Sequence, residues 1–214
     1  MNVAAGLVGL LIGAAAGPLA DRLATNALAR RSPLACARGS RWLALVTVTT
    51  AVLGAACGAV YGFTLEAATA GLFCLVLVVV TRTDLERRVI PNRIVVPGAL
   101  VMLVLRTIED PSIVWLVSAL AAGGFLLVAA LVYPPGMGMG DVKLAAFLGA
   151  GLGAAVIIAL FVGFLSALVP AAVLLVRHGR AARKRAIPLG PFLALGGIVA
   201  LFAGDAFIDW YLDV

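Results

Sequence analysis

Eight apolar runs follow one another along this chain with only short polar joints between them, and that succession leaves few folds open. They are Val3–Ala20, Trp42–Val60, Ala67–Val80, Ile94–Leu105, Ile113–Tyr133, Val142–Gly153, Ala154–Val176 and Ile187–Ala203. A helix that crosses a bilayer needs about 20 apolar residues, fewer where the bilayer thins. Charged residues are 12% of the 214 and hydrophobic ones 64%, against about a quarter charged in an ordinary soluble domain. A soluble core of this size could not hide so much apolar surface. The expected fold is all-α: a polytopic membrane protein of about eight transmembrane helices, with 1–214 as one integral-membrane domain. The fourth and sixth runs are short. The first is followed by Asp21 and Arg22 and is not preceded by a basic segment, so it reads as a retained helix rather than a cleaved signal.

The stretch Val142–Val176 needs a break. As one helix it would be roughly 50 Å long, too long for a ~30 Å hydrocarbon core. Gly149, Gly151 and Gly153 mark the natural turn. Charge supports the same count. With eight helices and the N-terminus outside, every basic residue but Arg106 falls on the inside, including Arg82, Arg87, Arg88, Arg93, Lys143 and the Arg177–Arg185 cluster. Cytoplasmic loops carry the Lys/Arg excess. Asp205, Asp209 and Asp213 then follow the last run, which places the C-terminus outside as well. Gly13 with Gly17 and Gly54 with Gly58 have the G-x-x-x-G spacing that lets helix backbones approach closely in lipid.

The net charge of +6 fits basic loops on an anionic inner leaflet, and nucleic acid is not expected as a partner. Cys36, Cys57 and Cys74 are too scattered for a C-x-x-C pair, and His178 is the one histidine. Metal sites need clustered ligands, so neither a metal nor a cofactor is expected.

Two acids stand where apolar runs meet polar joints: Asp84 in TRTDLERRVIPNRIVVP and Asp141 in GMGMGDVKLAAFLG. An ionisable residue at that depth is a functional-site hypothesis, because burying a lone charge there is costly. Loop counting puts both acids on the cytoplasmic side. Paired carboxylates can share one proton, so that one acts as base toward water while the other polarises a carbonyl. Around Asp141, Pro134, Pro135, Gly136, Gly138 and Gly140 argue against a continuous helix, and Gly138 and Gly140 would let a substrate strand come close. Asp84 and Glu86 with Arg87 and Arg88 also read as a charged loop, with Pro91 and Asn92 turning into the fourth helix.

D-x-x-x-x-x-I-P-N at Asp84–Asn92, G-M-G-D-V-K-L at Gly138–Leu144 and I-P-L-G-P-F-L-A-L-G-G at Ile187–Gly197, in that order and spacing, resemble the type IV prepilin peptidases of the GxGD membrane aspartyl protease group. The resemblance implies that Asp84 and Asp141 are the catalytic pair. It also implies that Gly138, Gly140, Glu86, Lys143, Pro91 and Asn92 belong to the surrounding active-site or substrate-binding loops. The implied substrates are prepilins and pseudopilins of a pilus or secretion system, cut at the cytoplasmic face of the cell membrane between a short basic leader and an apolar helix. Longer relatives carry a cytoplasmic domain with paired C-x-x-C motifs and also N-methylate the new N-terminus. Here that region is the short basic loop 21–41 with Cys36 alone, so N-methyltransferase activity is not expected. A signal-peptide-peptidase-like protease would show Y-D at its first aspartate, where this chain has Thr83–Asp84. An ion-coupled transporter would place acids near the bilayer midplane, and an inactive scaffold would not need both aspartates.

Overall fold

A computed structural model describes residues 2–29, 39–134, 137–178 and 188–212, and among them all regular structure is helical. In chain order the helices are α1 (Val3–Ala29), α2 (Gly39–Tyr61), α3 (Leu65–Arg87), α4 (Asn92–Glu109), α5 (Val114–Val132), α6 (Met139–Leu152), α7 (Val156–His178) and α8 (Gly190–Leu212), with one 3-10 turn at Gly153–Ala155. They gather into two compact units, Met1–Pro111 and Ser112–Val214. Cys36, Pro135, Gly136 and most of the Arg177–Arg185 cluster lie outside the described residues.

The solvent these helices expect is written on their outer faces. Leu11, Leu120, Phe161 and Val169 are each about two-thirds exposed, while Arg82, Thr83, Asp84, Thr50, Thr69 and Ser118 are buried. Apolar outside with polar inside suits lipid, and exposed apolar patches of this extent do not occur on soluble monomers. Four helical segments, within Val3–Leu28, Trp42–Tyr61, Leu65–Arg87 and Val114–Val132, are long and apolar enough to cross a membrane, as is the apolar stretch Met139–Arg177. The protein is therefore a multi-pass membrane protein.

In the first unit, α1 and α2 touch backbone to backbone. A Cβ on Gly13 would stand 2.2 Å from the Thr50 carbonyl oxygen, and one on Gly54 2.4 Å from that of Gly9. Both expected glycine pairs therefore serve one contact, with Gly58 against Ala5 and Gly17 against Thr47 completing the seam. The expected loop from Asp21 is helical as far as Ala29. Ala20, Ala24 and Leu28 recur every fourth residue and are buried, and the first two share a cluster with Val46, Val78 and Val79. That spacing keeps one face of the helix packed beyond the apolar run.

Helix α3 likewise outruns its apolar segment. Thr64 caps its start, its Oγ1 accepting from Ala67 N at 3.2 Å, and Glu66 in the first turn suits the positive end of the helix. Its end is the left-handed Arg88 (φ 54°, ψ 46°), whose N–H donates to the Asp84 carbonyl at 2.8 Å. Pro91 then opens α4, its carbonyl accepting from Ile94 N at 3.0 Å and Val95 N at 3.1 Å.

In the second unit the expected break falls at Gly153 (φ 56°), with the Trp115 ring against its Cα. Helix α6 thus has only 14 residues, about 21 Å. It packs on α5 through Gly149, and α7 packs on α8 through Gly163 and Gly196. Asp205 and Asp209 do not follow the last helix. They belong to α8, which continues past its apolar part, Gly190–Gly204.

Candidate active site

Asp84 is not in a loop. It lies in the last turn of α3, 5% exposed, and follows the buried residues Val78, Val79, Val80, Arg82 and Thr83. Its backbone carbonyl is tied to Arg88 N, and the neighbouring Thr83 hydroxyl donates to the Val80 carbonyl at 3.0 Å. In the same turns Arg82 Nη1 and Nη2 and the Thr83 hydroxyl all have hydrogen-bond partners, as most buried polar groups do.

Asp141 sits in the first turn of α6, half-buried. Its carboxylate accepts the Gly138 N–H at 3.2 Å, and its own N–H donates to the Gly138 carbonyl at 3.0 Å. The start of a helix favours negative charge, because unpaired N–H groups and the aligned peptide dipoles point there. Gly138 is extended (φ −86°, ψ 149°) and caps the helix. Gly140 lies inside α6, contrary to the expected glycine loop, so the irregular backbone before Asp141 ends at Gly138.

The other predicted residues divide. Pro91 and Asn92 form the start of α4, Pro91 half-buried and Asn92 exposed. Lys143 is half-buried on α6. Glu86 is two residues past Asp84, about 200° around the helix, so it faces away from that carboxylate. It lies on the side of Arg82, with Glu86 Oε1 at 3.9 Å from Arg82 Nε.

Arg82 is the residue the sequence reading left among the loop charges. It is buried, and it forms an ion pair with Asp21 of α1. The available signal was its place between Val78–Val80 and Asp84, since a cation inside such a run needs a partner. A second, half-buried ion pair stands at the opposite end of α3. There Arg106 Nη1 lies 3.0 Å from Glu109 Oε2, and Glu109 accepts from the Thr69 hydroxyl. Among the described residues no three His, Cys, Asp or Glu side chains cluster as a metal site would need.

Residues 71–175, which include both aspartates, match the model of the type IV leader peptidase family. The chain is 36% identical over 172 residues to a prepilin leader peptidase/N-methyltransferase of Bacillus subtilis (strain 168), covering 78% of this chain and 68% of that protein. Proteins of the same name from Aeromonas hydrophila (33%, 66% of this chain, 51% of the relative) and Legionella pneumophila (30%, 71% and 55%) are also similar. The chain spans about half the length of those two relatives. No solved structure matches.

Proposed function

This chain belongs to the type IV leader peptidase family, and on that premise we propose that it is a membrane aspartic endopeptidase acting on prepilin- or pseudopilin-like proteins, with Asp84 and Asp141 as its catalytic pair. The observation that carries the reading is the setting of the two acids within the matched stretch: one carboxylate buried in an apolar helix, the other at the first turn of a short one.

Catalysis by such a pair requires the two carboxylates to meet over the scissile bond and share one proton, because two carboxylates in contact cannot both ionise. The ionised carboxylate takes a proton from water as the oxygen attacks the scissile carbonyl carbon. The protonated one donates a hydrogen bond to the carbonyl oxygen, where negative charge develops. Collapse of the tetrahedral intermediate breaks the C–N bond, and the leaving amine takes up a proton from the pair. In this scheme the shared proton can rest on either carboxylate, so neither role is assigned to one of them alone.

Residues 1–214 act as one peptidase domain with eight membrane crossings and both termini outside, in the cytoplasmic membrane. The basic joints and both aspartates lie at the cytoplasmic face, where a basic leader would be presented. Gly138, Gly140, Pro91, Asn92 and Lys143 border the substrate path, and lipid surrounds the rest.

The test is incubation of the full chain in liposomes with a prepilin substrate, followed by mass spectrometry of the product. A single cut between leader and apolar helix is expected, leaving a free, unmethylated N-terminus. Intact substrate would refute the reading, and a cut inside the apolar helix would favour a signal-peptide-peptidase-like protease.

A further inference from the structure

We propose that Arg82 is a positioning residue for Asp84: it pins the last turns of α3 to α1, and that pin sets the direction of the carboxylate. The proposal rests on the reading of Asp84 as one of the catalytic pair.

The Arg82 side chain is 6% exposed. Its Nη1 donates to the Asp21 carboxylate and, at 2.9 Å, to the Asp21 backbone carbonyl. Its Nη2 donates to Thr25 Oγ1 at 3.2 Å, and the Thr25 hydroxyl itself donates to the Asp21 carbonyl at 2.8 Å. One guanidinium therefore holds three acceptors on successive turns of α1. Their neighbours in sequence, Ala20 and Ala24 on α1 and Val78 and Val79 on α3, share one buried cluster, so the two helices are packed together where the knot forms. A planar fork fixes direction as well as distance, which a lysine ammonium on the same stem would not.

The consequence falls on Asp84. Arg82 and Asp84 share a turn of α3 and point about 200° apart, so fixing one fixes the rotation of the other about the helix axis. That turn needs fixing, because the helix ends at Arg87 and final turns lack the full set of backbone bonds. Glu86 is not part of the knot: Arg82 Nε makes no hydrogen bond, and the Glu86 carboxylate stays at 3.9 Å. Glu86 contributes charge there without contributing geometry.

The experiment compares Arg82→Lys, Arg82→Gln, Asp21→Asn and the exchanged pair Asp21→Arg with Arg82→Asp, in the full chain in liposomes, against Glu109→Gln as a reference for simple loss of a half-buried ion pair. Misplacing a reacting group by 1 Å costs about 100-fold, so kcat should fall about that much in the single variants with KM nearly unchanged. The exchanged pair should regain about tenfold over Arg82→Asp alone. Glu109→Gln should lower the melting temperature while leaving kcat near wild type. Loss of kcat in the Arg82 variants no greater than in Glu109→Gln at equal loss of melting temperature would overturn the proposal. A readout without catalysis separates the two ideas. Asp84→Cys, with Cys36, Cys57 and Cys74 replaced by alanine, is labelled by a membrane-impermeant maleimide in inside-out vesicles. Adding Arg82→Gln should speed labelling about tenfold, as a locally opened turn does. Unchanged labelling would overturn the positioning role. Faster labelling in a protein whose parent cuts no prepilin would support the pin and refute the catalytic reading.

Discussion

Replacing Gly149 by alanine tests whether the packing of α6 on α5 places Asp141. Gly149 lies eight residues past Asp141, about 12 Å along the helix axis. A Cβ there would stand 2.3 Å from the Ser118 carbonyl oxygen, 2.6 Å from its carbon and 2.7 Å from Ala119 Cα. All three are backbone atoms of α5 and cannot swing aside. Ordinary contact begins near 3.4 Å, so the helices must part by about 1 Å. Overpacking of this kind costs about 1–3 kcal/mol, offset by up to about 1 kcal/mol from the better helix propensity of alanine. The larger effect is on rate: a shift of about 1 Å at Asp141 would slow cleavage about 100-fold. Gly124→Ala on α5 is the matched control, because nothing lies within 4 Å of its would-be Cβ. It should keep full activity and gain up to about 1 kcal/mol of stability. The assay is single-turnover cleavage in liposomes beside a thermal scan of the detergent-solubilised protein. Equal rates and melting temperatures for Gly149→Ala and Gly124→Ala would refute the reasoning.

Arg88 holds a left-handed backbone that costs a non-glycine residue roughly 1–2 kcal/mol, so Arg88→Gly should raise the melting temperature; a fall would show that the arginine side chain itself holds the turn. Glu86→Gln should raise KM for substrates with basic leaders more than it lowers kcat, and identical kinetics across leaders of different charge would reject a role in holding them. A C-terminal alkaline phosphatase fusion should be active and a green fluorescent protein fusion dark, as eight crossings from an outside N-terminus require; the reverse pattern would mean a miscounted crossing.

What could be read from the residues alone was the part governed by one-dimensional rules. Apolar runs gave every helix, because lipid forces each spanning segment to satisfy its own backbone. The break before Val156 was legible from length and from the glycines, and Gly153 supplies the positive φ. The ends were less legible. Helices α1, α3 and α8 all continue past their apolar runs, and for α1 and α3 the reason lies in a partner elsewhere in the chain. Asp21 and Thr25 are helical because Arg82 and the Val78–Val79 surface receive them. Asp84 and Asp141 stood out as costly charges, and the family motifs suggested the role proposed for them. Glu86 was assigned from its charge, and its direction toward Arg82 required the helix to extend to Arg87. Arg82 looked like one of many loop arginines until its side chain was seen to be buried.

The central claim is that two aspartates act as one catalytic unit, and single-turnover cleavage of a prepilin substrate by Asp84→Asn, Asp141→Asn and the double variant tests it most directly. Groups that act together are non-additive, so either single replacement should abolish cleavage about as completely as both, with each protein still inserted and accumulated at wild-type levels. Substantial processing by either single variant, or losses that simply multiply in the double, would contradict it.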